Sequence, residues 1–143
     1  MTINQISVFL ENRAGQLADI TGILYESKVN LRAISIAETA DYGVLRIIAD
    51  DASRASAILL EHGFILTMTP VVAVGVPDQP GGLNRVLGII SGAGIDVEYM
   101  YSVFGQKDGN AYMIFRVSDT EKLSAALADN GIITVAGEAL GTH

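Results

Sequence analysis

The sequence carries an internal repeat, and that repeat limits the folds open to it. Glu11-Asn12-Arg13-Ala14-Gly15-Gln16-Leu17 opens an amphipathic segment directly after an apolar strand pattern, and Pro77-Asp78-Gln79-Pro80-Gly81-Gly82-Leu83 does so again. Gly15 and Gly81 stand 66 residues apart, and Leu17/Leu83, Ile20/Val86, Leu24/Ile90, Val29/Ile95 and Leu31/Val97 keep that spacing. Past the second strand of each half the spacing is 68, in Leu45/Met113, Ile47/Phe115, Asp51/Asp119, Leu59/Leu127 and Gly63/Gly131. The second half has therefore gained two residues, which the pattern puts in the loop around Gly105 to Asn110. A period this long marks a duplicated small domain rather than a solenoid unit. Two copies of one module present two related glycine-marked loops, each ahead of a helix, where a ligand could sit.

Within each half the hydrophobic period alternates between two and about 3.6. Gln5 to Leu10 places Ile6, Val8 and Leu10 on one face of a strand and Gln5, Ser7 and Phe9 on the other. From Gly15 the spacing turns helical, with Leu17, Ile20, Leu24 and Ser27 on one stripe, supported by Ile23, and Lys28 in the last turn. Asn30 to Ala37 returns to strand, and Asp41-Tyr42-Gly43 turns the chain into Val44 to Ala49. Asp51 suits the N-cap of a short helix with Ala55, Ile58 and Leu59, and Gly63 suits its left-handed end. Phe64 to Thr69 is the closing strand. The second half repeats the order through Val72 to Val76, a helix with Leu83, Val86 and Ile90, and paired strands Asp96 to Phe104 and Ala111 to Val117. Ser118 and Glu121 predict a capping box before Leu123 to Leu127, and Ile132 to Val135 closes the second sheet. The order β-α-β-β-α-β, twice, predicts an α+β chain of two tandem ferredoxin-like domains with antiparallel sheets, residues 1–69 and 70–143, with Pro70 at the boundary.

Half of the 143 residues are hydrophobic, enough for two small cores or one joint core. If Leu45, Ile47 and Ala49 face the helices, Val44 and Ile48 face away, as do Tyr112 and Ile114. That far side is too apolar for open surface, so another sheet or a second subunit is expected to cover it. Sixteen acids against nine bases, with no basic cluster, argue against binding a nucleic-acid backbone. The absence of cysteine excludes disulfides, thiolate chemistry and cysteine-ligated zinc. The longest apolar run, near Val71 to Val76, is too short to cross a bilayer, and the first residues lack a signal-peptide pattern. The expectation is a cytoplasmic protein that touches neither nucleic acid nor membrane.

Chemistry concentrates in the loops. Asn12 to Gly15 feeds the first turn of a helix whose backbone N–H groups lack internal partners, and such a terminus suits an anion. Asn30, at the start of the next strand, offers both donor and acceptors, which suits a zwitterion. Read blandly, Asn12 and Asn30 are turn residues and Gly15 a tight corner. His62 fits a helix C-terminus and His143 ends the sequence, so no metal site is expected. Tyr99 and Tyr101 share a strand face, and Arg46 and Arg116 fall in strands as candidates for isolated salt bridges. No nucleophile–base pair and no phosphate loop is present, so no catalysis and no cofactor is expected.

Glu11-Asn12-Arg13-Ala14-Gly15-Gln16-Leu17 followed by Val29-Asn30-Leu31 resembles the ACT domain, the small-molecule-sensing module of amino-acid metabolism, in the version found at the regulatory end of phosphoglycerate dehydrogenases. Asp78-Gln79-Pro80-Gly81-Gly82-Leu83 and Ile95-Asp96-Val97 hold the same pattern, so the resemblance covers nearly the whole chain as two copies. It implies an amino acid bound where the loop before the first helix of one copy meets the second-strand start of another. One site would join Leu10, Asn12, Arg13, Ala14 and Gly15 to Asp96 and Val97; the other would join Asp78, Gln79, Pro80 and Gly81 to Asn30 and Leu31. If identical copies of two chains pair instead, Asn12 meets Asn30 and Asp78 meets Asp96. Leu10 stands where some serine-binding relatives carry histidine, which argues against serine, and Ala14 replaces a frequent proline that Pro80 retains. The resulting expectation is a non-catalytic amino-acid sensor, a homodimer, acting in trans on a partner enzyme. The alternative is a structural dimerisation module or regulatory subunit without a ligand of its own.

Overall fold

The computed structural model describes residues 2–11, 13–38, 42–132 and 134–142. Asn12, Asp41 and His143, named above, lie outside the described residues. The chain divides into two compact units, Asn4–Thr69 with Gly141–His143, and Pro70–Leu140 with Met1–Ile3.

The first unit is built from β1 (Ile3–Glu11), α1 (Gln16–Glu26), β2 (Leu31–Glu38), β3 (Tyr42–Ala49), α2 (Ala52–Glu61) and the start of β4 (Ile65–Pro77). Its strands lie in the order β2-β3-β1-β4, with β3 antiparallel to both neighbours. The Ser7 and Thr69 hydroxyls, 3.0 Å apart, tie β1 to β4. The second unit continues β4 and adds α3 (Gly82–Gly92), β5 (Val97–Lys107), β6 (Asn110–Val117), α4 (Thr120–Asp129), β7 (Thr134–Val135) and a 3₁₀ turn, Gly137–Leu140. Its order is β5-β6-β4-β7. Each unit is thus a ferredoxin-like β-α-β-β-α-β module, as the periodicity predicts.

Each helix pair covers one sheet face. In the first unit Ile6, Val8, Leu10, Leu45, Ile47 and Ala49 pack under Ile20, Leu24, Ala55 and Leu59. In the second, Val72, Val74, Val76, Phe115 and Val117 pack under Val86, Ile90, Leu123 and Leu127. On the opposite faces Ile48 and Ile114 belong to neither core and are 1% and 0% exposed.

Four local features depart from the sequence reading. The strands read separately as Phe64 to Thr69 and Val72 to Val76 form one continuous β4 that runs through Pro70, the residue at which the two units divide. No turn-forming residue flanks Pro70, and an extended backbone accommodates its fixed φ; its carbonyl accepts a hydrogen bond from Arg116 Nη1 at 2.8 Å. The two inserted residues of the second copy sit inside β5 rather than in the turn. Ser102 pairs with Met113 and Gln106 with Ala111, so three residues of β5 bulge opposite Tyr112 alone. The turn itself is the tight Asp108-Gly109, with φ of 55° and 75°. Asp119, not Ser118, caps α4, accepting from the Lys122 N–H at 3.0 Å, as Asp51 caps α2 from Arg54 at 3.1 Å.

The fourth departure matters most. The buried stripe of α1 is Gln16, Ile20 and Leu24, and that of α3 is Gly82, Val86 and Ile90. Leu17, assigned to this stripe from sequence, is 41% exposed. The contrast is testable by urea denaturation: Leu24→Ala should cost about 2–5 kcal/mol and Leu17→Ala less than about 1 kcal/mol.

Candidate ligand site at the start of the first helix

α1 and α3 begin differently from α2 and α4. Their N-caps are Gly15 and Gly81, in left-handed backbone with φ of 84° and 88°, and no side chain caps either helix. A residue with a Cβ would cost roughly 1–2 kcal/mol in that conformation. The first-turn N–H groups and the positive end of the helix dipole are therefore not masked by a capping side chain.

At the start of α1 this geometry opens onto a cavity of about 250 Å³. Leu10, Ile36 and Gly43 line it from β1, β2 and β3, and Gln16 and Leu17 line it from the helix. Leu10 and Gly43 are buried, while Glu11, Arg13 and Glu38 stand exposed at the margin. Arg13 lies 4.0 Å from a Glu11 carboxylate oxygen and 3.7 Å from one of Asp19. Exposed pairs at such distances are weak, worth about 0–1 kcal/mol, so a ligand carboxylate can compete for the guanidinium. Gln16 is 8% exposed, and its Oε1 is buried with no hydrogen-bond partner among the described residues.

Of the residues singled out from sequence in the first copy, Leu10 and Arg13 line this cavity, and Ala14 and Gly15 form the exposed turn beside it. Asn30 and Leu31 do not join them. Leu10 pairs with Gly43 at one end of β3, whereas Leu31 pairs with Ala49 at the other, a separation of about 20 Å along the strand. Asn30 is anchored at that far end, its N–H donating to the Asp50 carboxylate at 3.1 Å. In the second copy Asp78, Gln79, Pro80 and Gly81 form an exposed turn beside the Pro77–Asn110 end of the sheet, while Asp96 and Val97 lie at the Val117 end. Within either copy, therefore, the loop before the first helix and the start of the next strand lie at opposite ends of the sheet.

The second loop is held by its own backbone hydrogen bonds. The Asp78 N–H donates to the Gly109 carbonyl at 3.0 Å, and the Gly82 N–H to that of Gln79 at 3.1 Å. Gly82 holds the place of Gln16, and a Cβ there would overlap the Pro77 carbonyl oxygen.

Gln16, Ile36, Glu38 and Gly43 were not singled out as site residues from sequence. One signal pointed to Gln16: counting back in fours from Leu24 and Ile20 reaches position 16, a polar residue on a buried stripe. Elsewhere, His62 Nδ1 sits 2.9 Å from the Ile58 carbonyl at the end of α2, and Arg116 pairs with Glu98 at 3.1 Å. Tyr99 and Tyr101 stack with ring centroids 6.4 Å apart. Among the described residues no group of three His, Cys, Asp or Glu could hold a metal ion, and no helix is long and apolar enough to cross a membrane.

The family model for the ACT domain pair matches residues 1–142. The chain belongs to the ACT domain pair family. An ACT pair is a regulatory type of domain. This one is similar, at 36% identity and a TM-score of 0.91, to protein BT0572 from Bacteroides thetaiotaomicron, over 100% of this chain and 98% of that one. It shares its fold with the regulatory subunit of aspartate kinase from Thermus thermophilus, with a TM-score of 0.62 at 16% identity over 88% and 91% of the two chains. It also resembles Escherichia coli aspartokinase III crystallised with lysine and aspartate, with a TM-score of 0.51 at 11% identity over 90% of this chain and 31% of that one. No curated protein matches the chain.

Two glycines of α3 in this ACT pair should respond with opposite signs to substitution. Gly82→Ala should destabilise by about 1–3 kcal/mol through overpacking. Gly88→Ala, in mid-α3 with nothing within 4 Å of the added Cβ, should stabilise by about 0.5–1 kcal/mol. Thermal melts of the two variants check the contrast.

Proposed function

We propose that this ACT pair is a non-catalytic regulatory protein that binds a free amino acid at the mouth of α1 and conveys its presence to a partner enzyme in trans. The observation that carries the reading is the cavity between the uncapped α1 terminus and the strand ends, with Arg13 on its margin beside Glu11 and Glu38. A zwitterion matches that arrangement. Its carboxylate is taken by the α1 N–H groups and Arg13, and its ammonium by a margin carboxylate. Asp96 and Val97, or Asn30 and Leu31, complete the site when a second ACT copy brings its strand start to the loop, since the first copy's own strand start lies at the wrong end of the sheet. The aspartokinase III with a related fold was crystallised with lysine and aspartate, which supports the ligand class. We further propose residues 1–69 and 70–143 as the two ACT domains, a homodimer as the working form, and the cytoplasm as its location.

A panel of the common amino acids in thermal denaturation tests the proposal. A ligand at a hundred times its dissociation constant adds about 2.7 kcal/mol, which raises the midpoint by about 5–10 °C for a chain of this size. Arg13→Ala should weaken the effective ligand by about tenfold or more while leaving the unliganded midpoint within about 1–2 °C, because the ion pairs of Arg13 are exposed. No shift with any amino acid would leave a structural dimerisation module.

A further inference from the structure

We infer, granting an amino acid at the α1 loop, that Gln16 sets the specificity of the site by selecting a ligand whose side chain carries a hydrogen-bond donor. Position 16 is the first rung of the stripe that α1 turns toward the sheet, and the next two rungs are Ile20 and Leu24. An apolar residue is the economical choice for such a rung. Gln16 instead carries an amide into the interior, 8% exposed, and among the described residues its buried Oε1 has no partner. A bare acceptor in such surroundings costs about 1–3 kcal/mol, and a ligand that donates to it recovers that loss.

The rest of the cavity narrows the ligand further. Arg13 and the helix terminus hold the carboxylate at the outer margin, so the ligand's side chain is the part that reaches past Gln16 toward Leu10, Ile36 and Gly43. These residues offer apolar contact, and among the buried residues of the lining, Leu10, Gln16 and Gly43, Gln16 supplies the polar side chain. The volume, about 250 Å³, falls below the roughly 300–1,000 Å³ of sites for drug-sized molecules. A short side chain ending in a hydroxyl or a carboxamide fits this description; its aliphatic isostere leaves the Gln16 oxygen unpaired. The second copy cannot offer the same selection. Gly82 replaces Gln16 there, and the Pro77 carbonyl occupies the space a side chain would need.

Isothermal titration of the full chain with two isosteric pairs, threonine against valine and asparagine against leucine, tests the assignment. The wild type should prefer the donor-bearing member of at least one pair by about tenfold or more, because a buried unpaired acceptor penalises the isostere. Gln16→Leu should reduce that ratio to within about threefold and should raise the thermal midpoint of the unliganded chain, since it removes an unsatisfied buried group. An unchanged ratio in Gln16→Leu, or no preference in the wild type, overturns the role of Gln16 while leaving amino-acid binding intact. A lowered unliganded midpoint in Gln16→Leu marks the amide as structural and overturns it too. Gly43→Val supplies the control for place: an added Cβ meets its neighbours at 3.7–4.0 Å, ordinary contact, and the added bulk stands at a residue that lines the cavity. It should abolish binding in a folded chain. Undiminished binding in Gly43→Val puts the ligand elsewhere and overturns the assignment. Failure of every amino acid to bind the wild type overturns the ligand-binding reading itself, and the role of Gln16 with it.

Discussion

The left-handed glycine that starts α1 governs what the first copy can do. Gly15 turns the chain sharply from the end of β1 into a helix lying across the sheet, and it does so without contributing a capping side chain. Two things follow from that one conformation. The helix terminus keeps its first N–H groups free of a side-chain acceptor, unlike α2 and α4, which Asp51 and Asp119 close off. The residue after the glycine becomes the first rung of the buried stripe, so its chemistry decides what lies beneath the helix mouth.

The two copies use this shared geometry in opposite ways. Gln16 fills the rung in the first copy with a long polar side chain, next to open space bounded by Leu10, Ile36 and Gly43. Gly82 fills it in the second with no side chain, so the Pro77 carbonyl moves in against the helix and the loop draws tight through bonds at Gln79 and Gly109. Duplication preserved the backbone turn, down to φ values of 84° and 88°, while changing the residue that meets the sheet. Both copies also bulge at the start of the strand after the first helix, at Leu31/Ala33 and Val97/Tyr99, so the repeat extends to irregular backbone. The larger bulge between Ser102 and Gln106 belongs to the second copy.

Much of this fold was legible in the sequence because the signals are local. Alternation placed Ile6, Val8 and Leu10 in the core, and Asp51 and Gly63 marked the ends of α2 through their backbone preferences. The misreadings share a cause. Leu17 looks like a core residue because leucine is apolar, but one step along a helix rotates a side chain by about 100°. Position 16 faces inward because the strands lie on that side. Ser118 has the right chemistry for a cap, yet Asp119 is the residue that stands one position before the first helical turn.

By itself, the order of residues determined the duplicated β-α-β-β-α-β modules, the glycine turns and the Asp51 cap of α2, since each rests on interactions between residues a few positions apart. Only the tertiary structure decided that Gln16 is buried with an unpaired oxygen, that Ile36 and Gly43 from separate strands bound its cavity, and that Asn30 stands at the opposite end of the sheet from Gly15. Those facts depend on which strand ends come to rest beneath a helix terminus, and no pattern along the chain encodes a meeting between elements so far apart in sequence.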